Sequence, residues 1–245
     1  MKTILIILLG FSTTICAQGI VEMNPNKKEV VHPIRSIYSI TGGEFIFSFS
    51  RVTASGLLED NKLRVSLFPH LQQQFHYNIN NNFGILLGAS MANIGLRGVY
   101  STENLNTSFE LRQRALALGI PVALKIGKME EGNYAALGFS AEFMTHYKSK
   151  FYIGGEKIKY TEWFSDKVNL FNPSLFLDLR NEKGAYIRFR YYLYDFLTET
   201  SSFYANPLSS YFFTFTPQRS TVFYISFGST FMKKKKPKKM TLKDV

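Results

Sequence analysis

Residues 221–231 read TVFYISFGSTF, and the alternation in this stretch decides the fold. Phe223, Ile225, Phe227 and Phe231 are apolar, whereas Tyr224, Ser226, Gly228 and Thr230 are small or polar. Successive side chains of a strand point to opposite faces, so the segment predicts a strand with one greasy face and one half-polar face. The pattern recurs upstream at residues 45–50, 65–77, 83–92, 115–126, 137–144, 174–180 and 186–194. Eight strands result, and their faces must next be assigned to an inside and an outside.

A soluble sandwich or lipocalin-like barrel turns its apolar face inward and covers the outside with Lys, Glu and Asp. Here the apolar face is built of large residues such as Leu118, Ile120, Val122, Leu124 and Ile126. The opposing face carries Gly, Ser, Tyr, Gln and a few Arg. That composition predicts an inside-out molecule, an all-β, eight-stranded antiparallel up-and-down transmembrane β-barrel with a lipid-facing exterior and a compact polar lumen. Connection lengths agree. Residues 78–82 (NINNN), 127–133 (GKMEEGN) and 181–184 (NEKG) are short and rich in turn formers, whereas 54–62, 100–108, 154–169 and 198–209 are long. Outer-membrane barrels have short periplasmic turns and longer external loops, so both ends of the barrel fall on the periplasmic side.

Three features interrupt the alternation. Arg112 and Arg114 share the parity of the apolar residues 116–126, which places them above the membrane surface or calls for a bulge that switches their face. Pro121 removes one ladder donor in mid-strand and predicts a bulge or a distorted pair. The strand over 83–92 is expected to change parity near Asn93.

The first 17 residues have a basic start at Lys2, an apolar run over 4–11 and a small, polar stretch over 12–17. This reads as a secretory signal peptide, too short to cross a bilayer as a helix. Ile15 argues against Cys16 as a lipid-modified residue, since a lipobox wants a small residue there. Cys16 is the single cysteine of the 245 residues, so cleavage after Ala17 removes every thiol and excludes a disulfide framework. Residues 18–35 read as a periplasmic lead-in, 36–231 as the barrel and 232–245 as a Lys-rich periplasmic tail. The formal charge of +11 is concentrated there, with seven Lys and one Asp over 233–245. Removing that tail and Lys2 leaves +4. The basic balance therefore belongs to the tail, and export argues against a nucleic-acid partner. The tail is either a solvated segment or a contact for anionic headgroups or an acidic partner.

Residues 117–128 (ALGIPVALKIGK) followed by 134–147 (YAALGFSAEFMTHY) resemble the PorT-like outer-membrane β-barrel domain family, over roughly residues 36–231. The resemblance implies an eight-stranded barrel in the cell outer membrane of a Gram-negative envelope, with one branch of the family linked to protein secretion. Phe231 matches the terminal aromatic read by the barrel-assembly machinery in such proteins, although 14 residues follow it.

Parity places Glu44, Arg64, His70, Gln72, Gln74, His76, Glu142, His146, Asp178, Arg180, Arg188, Arg190, Tyr192 and Tyr194 in the lumen. An eight-stranded barrel is just wide enough for side chains to fill, so these residues are expected to form a polar network rather than a pore. Arg188 and Arg190 are the best anion-contacting pair if a ligand is bound. The histidines lack metal-ligand spacing, no G-x-S-x-G elbow is present, and no catalytic, cofactor or metal residues are assigned. The outer connection over 154–169, with Lys157, Tyr160, Trp163 and Phe164, is the candidate partner surface, its Trp either a partner contact or an interfacial anchor. The expected molecule is a monomeric barrel in outer-membrane lipid without catalytic activity, an accessory or scaffold subunit that engages other envelope proteins. The alternative is a stand-alone barrel for solute binding or passage.

Overall fold

The structure is a computed structural model that describes residues 36–54, 57–102, 108–198 and 217–231, without the side chains of 36, 57–59, 67–69, 102 and 231. The expected signal peptide, lead-in and Lys-rich tail lie outside the described residues. Ten strands are present among them: β1 (Ser36–Ala54), β2 (Leu57–Asn61), β3 (Arg64–Asn78), β4 (Phe83–Thr102), β5 (Ser108–Lys128), β6 (Asn133–Ile153), β7 (Glu156–Trp163), β8 (Ser174–Arg180), β9 (Ala185–Tyr192) and β10 (Pro217–Phe231).

Eight of them close a ring. β1, β3, β4, β5, β6, β8, β9 and β10 pair antiparallel in that order, and β10 returns to β1 from Thr41↔Phe231 to Ala54↔Pro217. Closure gives every stave a hydrogen-bonded neighbour on both sides, which suits backbone in hydrocarbon. The two remaining strands extend the wall on the side of the long connections: β2 pairs with β4 at Leu57↔Thr102, and β7 pairs with β6 at Ile153↔Glu156. The connections expected as loops over 54–62 and 154–169 are thus largely sheet. The short turns fall where predicted. In the third, Gly184 takes φ +82°, and its N–H donates to the Asn181 carbonyl.

The outward faces are those the alternation predicted. On β5, Leu118, Ile120, Val122, Leu124 and Ile126 are exposed while Ala117, Gly119, Pro121, Ala123 and Lys125 are buried. Exposed Leu, Ile and Phe continue around the ring at Phe45, Phe75, Leu87, Leu137, Leu177, Ile187 and Phe227. From Leu116 to Ile126 is ten steps of about 3.3 Å, or about 25 Å of height at a tilt near 40°, the thickness of a barrel's apolar band.

β4, β5 and β6 are longer than that band requires, with 20, 21 and 21 residues against the roughly 10 of a membrane-crossing strand. Their excess projects beyond the band on the side of the long connections, and there the two faces exchange character. Ile94, Leu96, Phe109, Leu111, Tyr147 and Phe151 pack inside with Val52, Val168, Phe196 and Val222. Arg97, Glu110, Arg112, Arg114, Lys148 and Lys150 line the outside. This exchange corrects the expected parity change near Asn93. Even positions of β4 face inward from Gly84 to Tyr100, and the β4–β5 register is unbroken from Phe83↔Ile126 to Ser101↔Ser108. The side chains change because the surroundings change from lipid to water. Arg112 and Arg114 accordingly keep the outward face and stand above the apolar band. Pro121 causes no bulge, but the β4–β5 pairing lapses opposite it, between Leu87↔Val122 and Ser90↔Gly119.

A bulge does occur on β6. Register with β5 shifts between Leu116↔His146 and Ala117↔Met144, with Thr145 as the extra residue and its hydroxyl donating to the Leu116 carbonyl at 3.0 Å. Inward parity passes from even positions below Met144 to odd positions from Tyr147.

Candidate functional site

The lumen is organised around three buried carboxylates, Glu44 on β1, Glu142 on β6 and Asp178 on β8. Asp178 and Arg188 are direct partners on β8 and β9, and the guanidinium donates in a fork, Nε to Oδ1 at 2.5 Å and Nη2 to Oδ2 at 2.6 Å. A third donor of Arg188 reaches Glu44 Oε1 at 3.3 Å, and Ser226 donates to Glu44 Oε2 at 2.8 Å. His70, opposite Glu44 on β3, places Nδ1 against the same carboxylate. Glu142 is the second hub. Arg190 pairs with it, the Tyr192 hydroxyl donates to it at 2.6 Å and Ser174 donates at 3.4 Å. Arg188 and Arg190 also lie over the Phe176 ring, 5.0 and 5.2 Å from its centroid.

Below this layer Arg180 donates to Gln74 at 3.0 Å, Gln74 to Gln72 at 2.7 Å, and Gln72 to the Tyr186 hydroxyl. His76 contacts Gln74 at 3.2 Å and stacks on Tyr38, with 4.8 Å between centroids. Lys125 closes the floor, donating to Asn78 at 2.7 Å beneath the Tyr38 and Tyr134 rings. Gly228 makes room for the Tyr186 ring opposite it on β9, since a Cβ there would lie 2.3 Å from Tyr186 Cζ. The apolar cluster covers the polar layer above. Side chains thus fill the interior from Lys125 to Phe109.

Of the fourteen residues expected in the lumen, eleven, Glu44, His70, Gln72, Gln74, His76, Glu142, Asp178, Arg180, Arg188, Arg190 and Tyr192, are buried together there. Arg64 is not among them. It is half-buried higher up, where the β3–β4 ladder is interrupted between Leu71↔Met91 and the β2 pair Asn61↔Gly98, and it donates to the Asn93 carbonyl and Oδ1 at 3.2 Å. Two further residues expected inside face outward. The Thr145 bulge turns His146 toward Trp163, with centroids 4.6 Å apart, and Tyr194 lies past the end of β9 and is exposed. Sequence reasoning missed Tyr186, Ser226, Ser174 and Lys125 as network members. Their inward parity was legible, but their partners lie on strands brought together only by the ring.

The connection expected as one partner surface divides between two faces. Lys157 and Trp163 point outward along β7, whereas Tyr160 turns inward toward Tyr147 at 6.3 Å. Trp163, Phe164 and Phe143 form an exposed aromatic group at the top of the apolar band, as an interfacial girdle does. Phe164 holds φ +51°, and its N–H donates to the Thr145 carbonyl at 2.9 Å. β10 ends at Phe231, paired with Thr41.

Above that band the outside of β4, β5 and β6 carries a cationic collar. Arg97, Arg112 and Lys150 are direct cross-strand partners in one row, and Arg114 and Lys148 are partners in the row beneath. With Arg64 they border a crevice of about 350 Å³. One carboxylate, Glu110, enters the group, accepting from Arg112 Nε at 2.7 Å and Nη2 at 3.1 Å and pairing with Arg97. The Arg112 hydrogen bond, opposed by burial and reinforced by Arg97, holds Glu110 below its ordinary pKa. Burial, together with the neighbouring Lys157, Arg114 and Lys148, lowers the Lys150 pKa, against an opposing pull from Tyr152. Among the described residues, no acidic side chain pairs with Arg114, Lys148 or Lys150.

No family model matches this sequence, and no curated protein matches it. Solved structures similar to it include Ail, the attachment invasion locus protein of Yersinia pestis, at 15% identity over 78% of this chain and 99% of that one, with a TM-score of 0.34. The same protein in complex with the heparin analogue sucrose octasulfate gives 14% identity, the same coverage and a TM-score of 0.33. The outer membrane protein OprG of Pseudomonas aeruginosa gives 13% identity over 82% of this chain and 97% of that one, with a TM-score of 0.33.

Proposed function

We propose that this chain is a non-catalytic outer-membrane β-barrel that serves as an accessory or scaffold subunit of the cell envelope. The observation that carries this reading is the filled interior. A polar network with Arg188 and Arg190 fully buried lies beneath an apolar cluster, and among the described residues these side chains occupy the space that a solute would need. What remains available to a partner is the outer wall and the projecting sheet of β4, β5, β6 and β7. The apolar band around a closed sheet supports residence in the cell outer membrane. The PorT-like resemblance supports a link to protein secretion, with other envelope proteins as partners and the barrel-assembly machinery as the route of insertion.

Purification of the tagged chain from its native membrane in mild detergent, with sizing and mass spectrometry, tests this reading. A stoichiometric envelope protein is the expected result. A clean monomer that gives discrete current steps in a planar bilayer would replace the scaffold with a barrel for solute passage.

A further inference from the structure

We infer that the cationic collar on β4, β5 and β6 binds the phosphate groups of an outer-leaflet glycolipid, an inference that rests on reading the chain as an outer-membrane barrel with its long connections outward. Like charges directly opposite one another on neighbouring strands repel. Here two successive rows repeat that arrangement, Arg97, Arg112 and Lys150 above Arg114 and Lys148. Glu110 supplies one negative charge and engages Arg97 and Arg112, so the lower row and Lys150 retain an uncompensated excess. A multiply charged anion seated between the rows turns that repulsion into attraction. Guanidinium groups suit phosphate oxygens through paired donors, and the lysines add compact charge.

The direction of the collar selects the source of the phosphate. Arg114 is two residues from Leu116 on the same outward face of β5, about 7 Å along the strand from the start of the apolar band. A ligand there meets cations at its headgroup while its acyl chains lie along Leu118, Ile120 and Val122. A soluble polyanion gains nothing from that apolar wall.

The test uses the full mature chain folded in detergent micelles and titrated with bis-phosphoryl lipid A, enzymatically dephosphorylated lipid A and, as a soluble phosphate source, inositol hexakisphosphate. Binding is followed by Trp163 fluorescence and by the shift in thermal unfolding. The expected result is saturable binding of bis-phosphoryl lipid A, weakened at least tenfold in an Arg112→Gln, Arg114→Gln, Lys148→Gln variant and unchanged in Lys128→Gln, Lys183→Gln, two exposed cations at the short turns of the opposite rim. Equal binding of the dephosphorylated lipid overturns the inference without recourse to any variant. So does inositol hexakisphosphate binding as tightly as lipid A, or full affinity in the triple variant. Because the titration needs no protein partner, its outcome is separate from that of the scaffold reading.

Discussion

Arg188 sits where three elements meet, reaching Asp178 on β8 and Glu44 on β1 from β9. The desolvation of three charged groups is offset only while all three remain paired, because each is fully buried. Arg188→Leu therefore strips Asp178 of its forked partner and leaves buried Glu44 with the Ser226 hydrogen bond and the His70 contact. The expected cost is about 3–5 kcal/mol, the range for breaking a buried ion pair from one side. Urea unfolding in detergent, followed through the sole Trp, measures it. A loss below about 1 kcal/mol, the level of an exposed pair, would mean that the network is hydrated and the lumen open.

At the scale of the strand, alternation carried most of the information. It located all eight staves, because lipid on one side and a packed lumen on the other impose period two on every one. It underestimated β4, β5 and β6 because their upper halves exchange the two faces, and the exchange imitates a change of parity. At Asn93 nothing happens to the backbone, whereas at Thr145 an extra residue is inserted and His146 lands outside. A single sequence cannot separate these cases, since either one reverses the apolar pattern. The network was legible as a set of inward positions, and its pairings were not, because Glu44 finds Arg188 and Ser226 only after the ring closes. The bulge itself makes a prediction. Deleting Thr145 leaves Met144 and Tyr147 both inward and regularises the β5–β6 ladder, at the cost of the hydrogen bonds to Leu116 and Phe164. The loss should be about 1–3 kcal/mol. Inserting an alanine after Thr145 instead turns Tyr147, Ser149 and Phe151 outward and Lys148 and Lys150 inward. The deletion is expected to retain the heat-dependent mobility shift of a folded barrel on gels and the insertion to lose it. The reverse result would place the bulge elsewhere.

The whole molecule joins two opposite solutions to burial in one continuous sheet. Within the band the apolar side chains face out and the ion pairs face in, while above it the apolar side chains face in and the charges face out. From Arg114 to Ser108, β5 runs six further steps, about 15 Å of height at the same tilt. The projection is thus a small water-facing sheet with its own core, continuous with a lipid-facing barrel. This arrangement fixes the depth of every residue relative to the membrane, and single cysteines read depth directly. The sole native cysteine, Cys16, lies in the segment read as the signal, so the parent chain supplies the background. Arg112→Cys and Lys150→Cys should react with a membrane-impermeant maleimide on intact cells. Ile120→Cys and Leu124→Cys, in the middle of the band, should stay unlabelled whether or not the outer membrane is permeabilised. Lys128→Cys, beside the short turn, should react only after permeabilisation. Labelling of Lys128→Cys on intact cells together with protection of Arg112→Cys would invert the orientation and remove the collar from the outer leaflet. Uniform labelling of Ile120→Cys and Leu124→Cys would show that the exposed apolar band does not lie in lipid at all.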